Sequence, residues 1–203
     1  MKKITWIALS ISALSFSQIA YAQKAKISSA QISLQDGKVM DAKKDIDAAL
    51  QDVEIQKRVD AWTTKGEVYK DIYETKIYYA LNPNCLFEAK DAYIKASDLE
   101  LNPKKQKNFT TPLTNIQGYL FNEGLGRFNS QKYDDAYKHF DAARTINEFL
   151  LKKGLATVVD TNIIYATAMS GVSIGKTKEV TPLLQKLIEM NYNNAAVYES
   201  LAQ

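Results

Sequence analysis

Apolar positions recur along this chain with a helical period, and the clearest stretch runs from Ile116 to Asn147. Tyr119, Leu120, Leu125 and Phe128 give its first half an apolar side, and Asn129-Ser130-Gln131-Lys132 forms a polar break. Tyr133, Ala136, Phe140 and Ala143 follow at spacings of 3, 4 and 3, one face of a second helix. Small Ala136 and Ala143 flank bulky Phe140. Two helices can therefore approach closely while the ring fills the gap between them. The pattern predicts a helical hairpin.

A single hairpin cannot bury its own apolar face, so the pattern should recur. Ala42, Ile46 and Ala49 repeat the small-large-small spacing, behind an Asp36-Gly37-Lys38 turn whose glycine suits positive φ. Trp62, Gly66 and Tyr69 form a helix face answered by Ala89, Tyr93 and Ala96. Ile164, Ala168, Val172, Val180, Leu184 and Leu187 take the places of Leu120, Gly124, Phe128, Ala136, Phe140 and Ala143. The step from Gly124 to Ala136 is 12 residues, as it is from Ala30 to Ala42 and from Ala168 to Val180. Expected hairpins span about 23–56, 57–103, 114–150 and 161–194, with a partial fifth over 195–203. Two segments look inserted. Asp71–Leu81 should prolong the second hairpin's first helix by about three turns, and Glu148–Asp160 should follow the third hairpin. Lys104 to Pro112 reads as a basic connector, and Pro182 as a first-turn proline. The non-repeating alternative is a plain helical bundle.

These residues resemble the tetratricopeptide repeat (TPR), with its W-x2-L-G-x2-Y…A-x3-F-x2-A pattern. Trp62, Gly66 and Tyr69 keep the first-helix anchors, with Lys65 where leucine is usual. Gly124, Ala136, Phe140 and Ala143 keep their places, while Leu120, Glu123 and Arg127 replace tryptophan, leucine and tyrosine. Leu99-Glu100-Leu101-Asn102-Pro103 resembles the closing turn, and Tyr198 stands 34 residues after Ile164, in the tryptophan place. The resemblance implies an all-α, right-handed α-solenoid of TPR-like hairpins. It also leads to the expectation that the chain is the N-terminal part of a longer protein.

Composition narrows the classes. The chain has 203 residues, 46% hydrophobic and 24% charged, which fits a globular domain rather than disorder. No Val/Ile/Thr-rich alternating run predicts a sheet. Met1–Ala22 reads as a signal peptide: Lys2 and Lys3, an apolar run from Ile4 to Phe16, then Ala20-Tyr21-Ala22 before Gln23. Its apolar run is shorter than the ~20 residues of a spanning helix. Removal of Lys2 and Lys3 would lower the formal charge of +3 to about +1, which gives no support for nucleic-acid binding. The expectations are export to the periplasm, cell envelope or medium, and no membrane span once the leader is removed. Cys85, the single cysteine, cannot form an internal disulfide and reads as a small packed residue.

Catalytic groups are sparse. His139 is the sole histidine, beside Phe140 and without a histidine or cysteine partner in its pattern. Asp134 and Asp135 read as first-turn charge. Ser170–Thr177 lacks the phosphate-loop spacing. Lys104, Lys105 and Lys107 read as a solvated loop. No catalytic residue, cofactor or metal site is expected, and the chain is read as a non-enzyme.

TPR stacks bind partners on the concave side, lined mainly by first helices. The resemblance places Thr63, Glu67, Lys70 and Asp71 there in the second hairpin, and Phe121, Leu125, Phe128 and Asn129 in the third. In the fourth it places Asn162, Tyr165, Met169 and Ser173. That surface runs from polar to apolar, and an apolar groove with polar rims is the usual mark of a peptide or partner site, unless the insertions cover it. The expected function is a non-enzymatic scaffold for a protein or peptide partner in the bacterial envelope. One alternative is an outer-membrane-associated helical nutrient or glycan binder, against which the missing lipid-site cysteine counts. Another is an N-terminal module of a larger enzyme or envelope-anchoring protein.

Overall fold

The computed structural model describes residues 24–202, and every element among them is helical. The leader assigned to Met1–Ala22 lies outside the described residues. The chain divides between Asn102 and Pro103 into two compact units.

The first unit holds α1 (24–35), α2 (Val39–Ala49), a 3-10 turn at Ile55–Lys57, α3 (Val59–Glu74), α4 (Lys76–Leu81) and α5 (Cys85–Leu99). α1 buries Ile27 and Ala30, and α2 buries Ala42, Ile46 and Ala49 against α3. α3 also packs along α5. Gly66 makes this possible, because a Cβ there would lie 2.7 Å from the Tyr93 ring. Ala89 and Ala96 lie one turn to either side of Tyr93, and all three are buried.

The expected three-turn prolongation of α3 is not what forms. α3 stops at Glu74, Thr75 adopts φ −96° and ψ 96°, and α4 starts at Lys76. Both Tyr78 and Tyr79 donate their N–H to the Thr75 carbonyl. The bend brings the Tyr73 and Tyr79 rings edge to face, with centroids 5.0 Å apart. In a straight helix, residues six apart point roughly 120° away from each other and lie about 9 Å apart along the axis, which disfavours such a contact.

The second unit holds α6 (Pro103–Gln106), a 3-10 turn at Lys107–Phe109, α7 (Thr110–Asn129), α8 (Tyr133–Lys152), α9 (Thr161–Ser173), α10 (Thr177–Glu189) and α11 (Ala195–Leu201). The stretch expected to be a connector, Lys104–Pro112, is therefore helical. Phe109, Leu113, Ile116 and Leu120 form a buried stripe at spacings of 4, 3 and 4, which carries the helix back beyond Ile116. Pro112 is the third residue of α7, where a missing N–H costs no helical bond.

α8 likewise continues into the expected Glu148–Asp160 insertion as far as Lys152, because Ile146 and Leu150 prolong its buried stripe. The remainder is pinned by buried Asn147. Its amide donates to the Val158 carbonyl (3.3 Å), and its Oδ1 accepts the Asp160 N–H (3.1 Å). The Asp160 carboxylate then caps α9 by accepting from the Asn162 and Ile163 N–H groups, a cap worth about 1 kcal/mol.

α8 packs on both α7 and α9, and α9 packs on α10. Gly124 is the close approach of the α7–α8 pair, since its Cβ would sit 2.6 Å from Phe140 Cε1. Ile164, Ala168, Val180, Leu184, Leu187 and Val197 form one buried cluster at the α9–α10 pair. Two local expectations change here. Pro182 is exposed and is the sixth residue of α10, thus in its interior, where it cannot donate to the Lys178 carbonyl. On α11 the buried place belongs to Val197, whereas Tyr198 is 48% exposed.

Three of the hairpin turns share one hydrogen-bond closure. Gly37 donates to the Leu34 carbonyl and Lys38 to the Ser33 carbonyl. Gln131 and Lys132 repeat this with Phe128 and Arg127, and Gly175 and Lys176 with Val172 and Gly171. Gly154 and Leu155 end α8 in the same way, as Asn191 and Tyr192 end α10. The residue at the crossing has positive φ every time, between 56° and 75°. This is the double-bonded Schellman closure of a helix C-terminus.

Candidate functional site

An apolar recess lies wholly within the second unit. Its volume is about 510 Å3. Phe121, Leu125 and Phe128 line it from α7, and Tyr165, Ala166, Met169 and Val172 line it from α9. Phe140 of α8 forms the floor, and Asn162 and Ser173 lie at the two ends of the α9 stripe. The α9 residues repeat every three to four positions, so they form a single face of that helix. The α7 residues do the same.

The walls are braced from behind. Phe121 rests against Phe140 with centroids 5.4 Å apart, Phe128 against Tyr133 at 5.0 Å, and Tyr165 against Tyr192 at 5.4 Å. Tilted and edge-to-face pairs of this kind contribute about 0.5–1.5 kcal/mol each beyond area burial. Leu125 remains 39% exposed. No residue of 148–160 is among the walls.

The structure thus brings together Phe121, Leu125, Phe128, Tyr165 and Met169, along with Asn162 and Ser173. Asn129 is exposed at the end of α7 and is not among the walls. Phe140 and Val172 were legible only as hairpin-closing residues, and they serve the recess as well. Phe140 carries both duties because its Cδ1 and Cε1 atoms meet Gly124 while the ring also lines the recess.

Thr63, Glu67, Lys70 and Asp71 lie on α3 of the first unit, in a different setting. Thr63 donates its hydroxyl to the Val59 carbonyl one turn back (2.9 Å). Lys70 pairs with Asp71 (2.6 Å) and Glu74 (3.1 Å). Partial burial pulls the Lys70 ammonium down, and these two carboxylates more than offset it. The Glu67 carboxyl is pushed up, by desolvation first and by Asp71 second. On this face Lys70 is paired with two carboxylates, and none of the four residues lines the recess of the second unit.

Elsewhere in the first unit, Tyr69 donates its hydroxyl to the Asp47 carboxylate (2.8 Å), which also holds Lys43 (2.8 Å). Desolvation first, and that hydrogen bond second, push the Tyr69 phenol well above its ordinary range. Lys43 and Lys65 both lie over its ring, and Lys65 pairs with Glu88 (2.7 Å). Each charge in this cluster has a partner of opposite sign, which suits a packing role.

His139 is buried on α8, with Nδ1 2.7 Å from the Asp135 carbonyl oxygen. Burial holds its imidazole below the ordinary range, with nearby Arg127 acting in the same direction. Glu123 and Arg127 form an ion pair beside it on α7. Cys85 is a buried thiol near the start of α5. Among the described residues, no group of three or more His, Cys, Asp or Glu side chains is arranged to hold a metal ion. No described helix is long and apolar enough to cross a membrane. Comparison with protein-family models and with curated proteins returned no match.

Proposed function

We propose that the chain is an exported, non-enzymatic scaffold of TPR type that captures an apolar segment of a protein partner in the cell envelope. The observation that carries this is the recess of the second unit. Its opposing walls come from α7 and α9, the first helices of two successive hairpins, with α8 behind both. In a right-handed solenoid of such hairpins these helices line the concave side.

Two further features support the assignment. Gly66 against Tyr93 and Gly124 against Phe140 are the same close contact in two hairpins, one in each unit. Small residues on first helices admit large residues of second helices, which is the packing logic of the motif. The Lys2-Lys3, Ile4–Phe16 and Ala20-Tyr21-Ala22 pattern supports export.

Braced aromatic walls with a small polar rim match the composition of interface hot spots. The decisive experiment compares the full chain with Phe121→Ala and Tyr165→Ala in capture of partners from envelope extract, each partner then purified and titrated. Loss of at least about tenfold in affinity with unchanged helical content is expected. Equal capture by both variants overturns the assignment of the recess.

A further inference from the structure

We infer that the segment captured in the α7–α9 recess is a helix presenting uncharged apolar side chains at positions i, i+4 and i+7. The inference rests on the partner-capture function above and specifies the partner's chemistry. Three observations lead to it: the charge of the recess, its supply of hydrogen-bonding groups, and its dimensions.

No charged side chain lines the recess, although 24% of the chain is charged. A carboxylate or ammonium entering it would lose water without gaining a counter-charge. The inserted groups are therefore neutral.

The hydrogen-bonding supply excludes an extended strand. The recess offers the Asn162 amide and the Tyr165 and Ser173 hydroxyls, and Ser173 already donates to the Met169 carbonyl (3.0 Å). Between Asn162 and Ser173 the α9 wall runs about 16 Å at 1.5 Å per residue. An extended segment of that length has about five residues and roughly ten backbone N–H and C=O groups. Buried against phenyl, thioether and aliphatic walls, most of those facing inward would have no partner, at a cost of about 1–3 kcal/mol each. A helix satisfies its own backbone before it docks, so only side chains need to be accommodated.

The dimensions agree. A helix with its side chains is about 10–12 Å across, so 510 Å3 accepts anchors and not the helix itself. The i to i+7 spacing covers about 10 Å, and Phe121 and Phe128 on α7 are separated by those same seven residues. Braced rings keep the walls apart before binding, which reduces the ordering cost of association.

Two displayed peptide libraries test this against the full chain. One has an Ala/Glu/Lys frame that favours a helix, with positions i, i+4 and i+7 randomised. The other is identical except for a central proline. The variant for selectivity is Leu125→Lys, at a partly exposed wall position where the fold should survive, checked by circular dichroism. Clones from the helical library alone, with neutral apolar anchors and about tenfold or greater loss on Leu125→Lys, are expected. Equal recovery from the proline library, with the same sensitivity to Leu125→Lys, overturns the helical inference and leaves partner capture standing. Charged anchors overturn the inference as well. If neither library gives a Leu125→Lys-sensitive clone, both proposals fall; self-association or retained neutral lipid that responds to Leu125→Lys would then identify the occupant as a second copy or a lipid.

Discussion

Gly124→Ala measures the closeness of the α7–α8 contact directly. The new methyl carbon would lie 2.6 and 2.7 Å from Phe140 Cε1 and Cδ1, and 3.1 Å from Cζ. Carbon atoms rest at about 3.5–4.0 Å, so the ring would have to retreat by roughly 1 Å. Phe140 is 1% exposed and meets Phe121 at 5.4 Å, so its retreat would also displace the Phe121 ring. Overpacking of this kind costs about 1–3 kcal/mol. Replacing a helical glycine by alanine returns about 1 kcal/mol of propensity.

α7 supplies its own controls. Gly118 and Gly126 lie on the same helix, and nothing stands within 4 Å of a Cβ at either. Gly118→Ala and Gly126→Ala should therefore stabilise by about 0.5–1 kcal/mol. Subtracting their mean cancels most of the propensity gain. A penalty of about 1–3 kcal/mol should remain at Gly124. Urea unfolding followed by far-UV circular dichroism reads all three. Adding Phe140→Leu should recover at least about 0.5 kcal/mol of the penalty, because the two sites are in contact. If all three alanines shift stability equally, within about 0.5 kcal/mol, the close approach is refuted.

Gln131 holds φ 58° as a non-glycine residue, so Gln131→Gly should raise stability by about 1 kcal/mol. Gly175→Ala, at φ 75°, should lower it by a similar amount, and thermal melts of the two variants check both signs. His139 has a depressed pKa in the folded state, so the unfolded chain binds the proton more readily. Its contribution is fully present above the ordinary histidine value of about 6.5 and is lost as pH falls through the lower folded value. The acid limb of stability against pH should flatten in His139→Gln; an unchanged limb would rule out His139 as its source.

The second-helix faces were legible because alternation of small and large residues carries packing information by itself. Ala136, Phe140 and Ala143 could serve little else at that spacing. Gly66 and Gly124 were legible for the same reason, as residues whose only contribution is absence of bulk. The bend at Thr75 was not legible. Asp71–Leu81 has no proline or glycine, and the ring pairing between Tyr73 and Tyr79 that accompanies the break exists only after it forms. The early start of α7 was signalled by Phe109 and Leu113 but masked by the lysines and Pro112. At the recess, α7 and α9 showed their stripes in the sequence. The shared duty of Phe140 did not, since a residue assigned to hairpin closure looks fully spent until its neighbours are placed around it.

The helix-ending turns carry a consequence for the history of the chain. Their closure uses only main-chain bonds, so selection at the crossing residue acts on handedness and barely on chemistry. Glycine, glutamine and asparagine all occupy it, at Gly37, Gly154 and Gly175, at Gln131 and at Asn191. Letters at these turns are therefore free to drift while the geometry persists. An ancestral duplication would be erased from the alphabet of such a chain long before it was erased from its chirality.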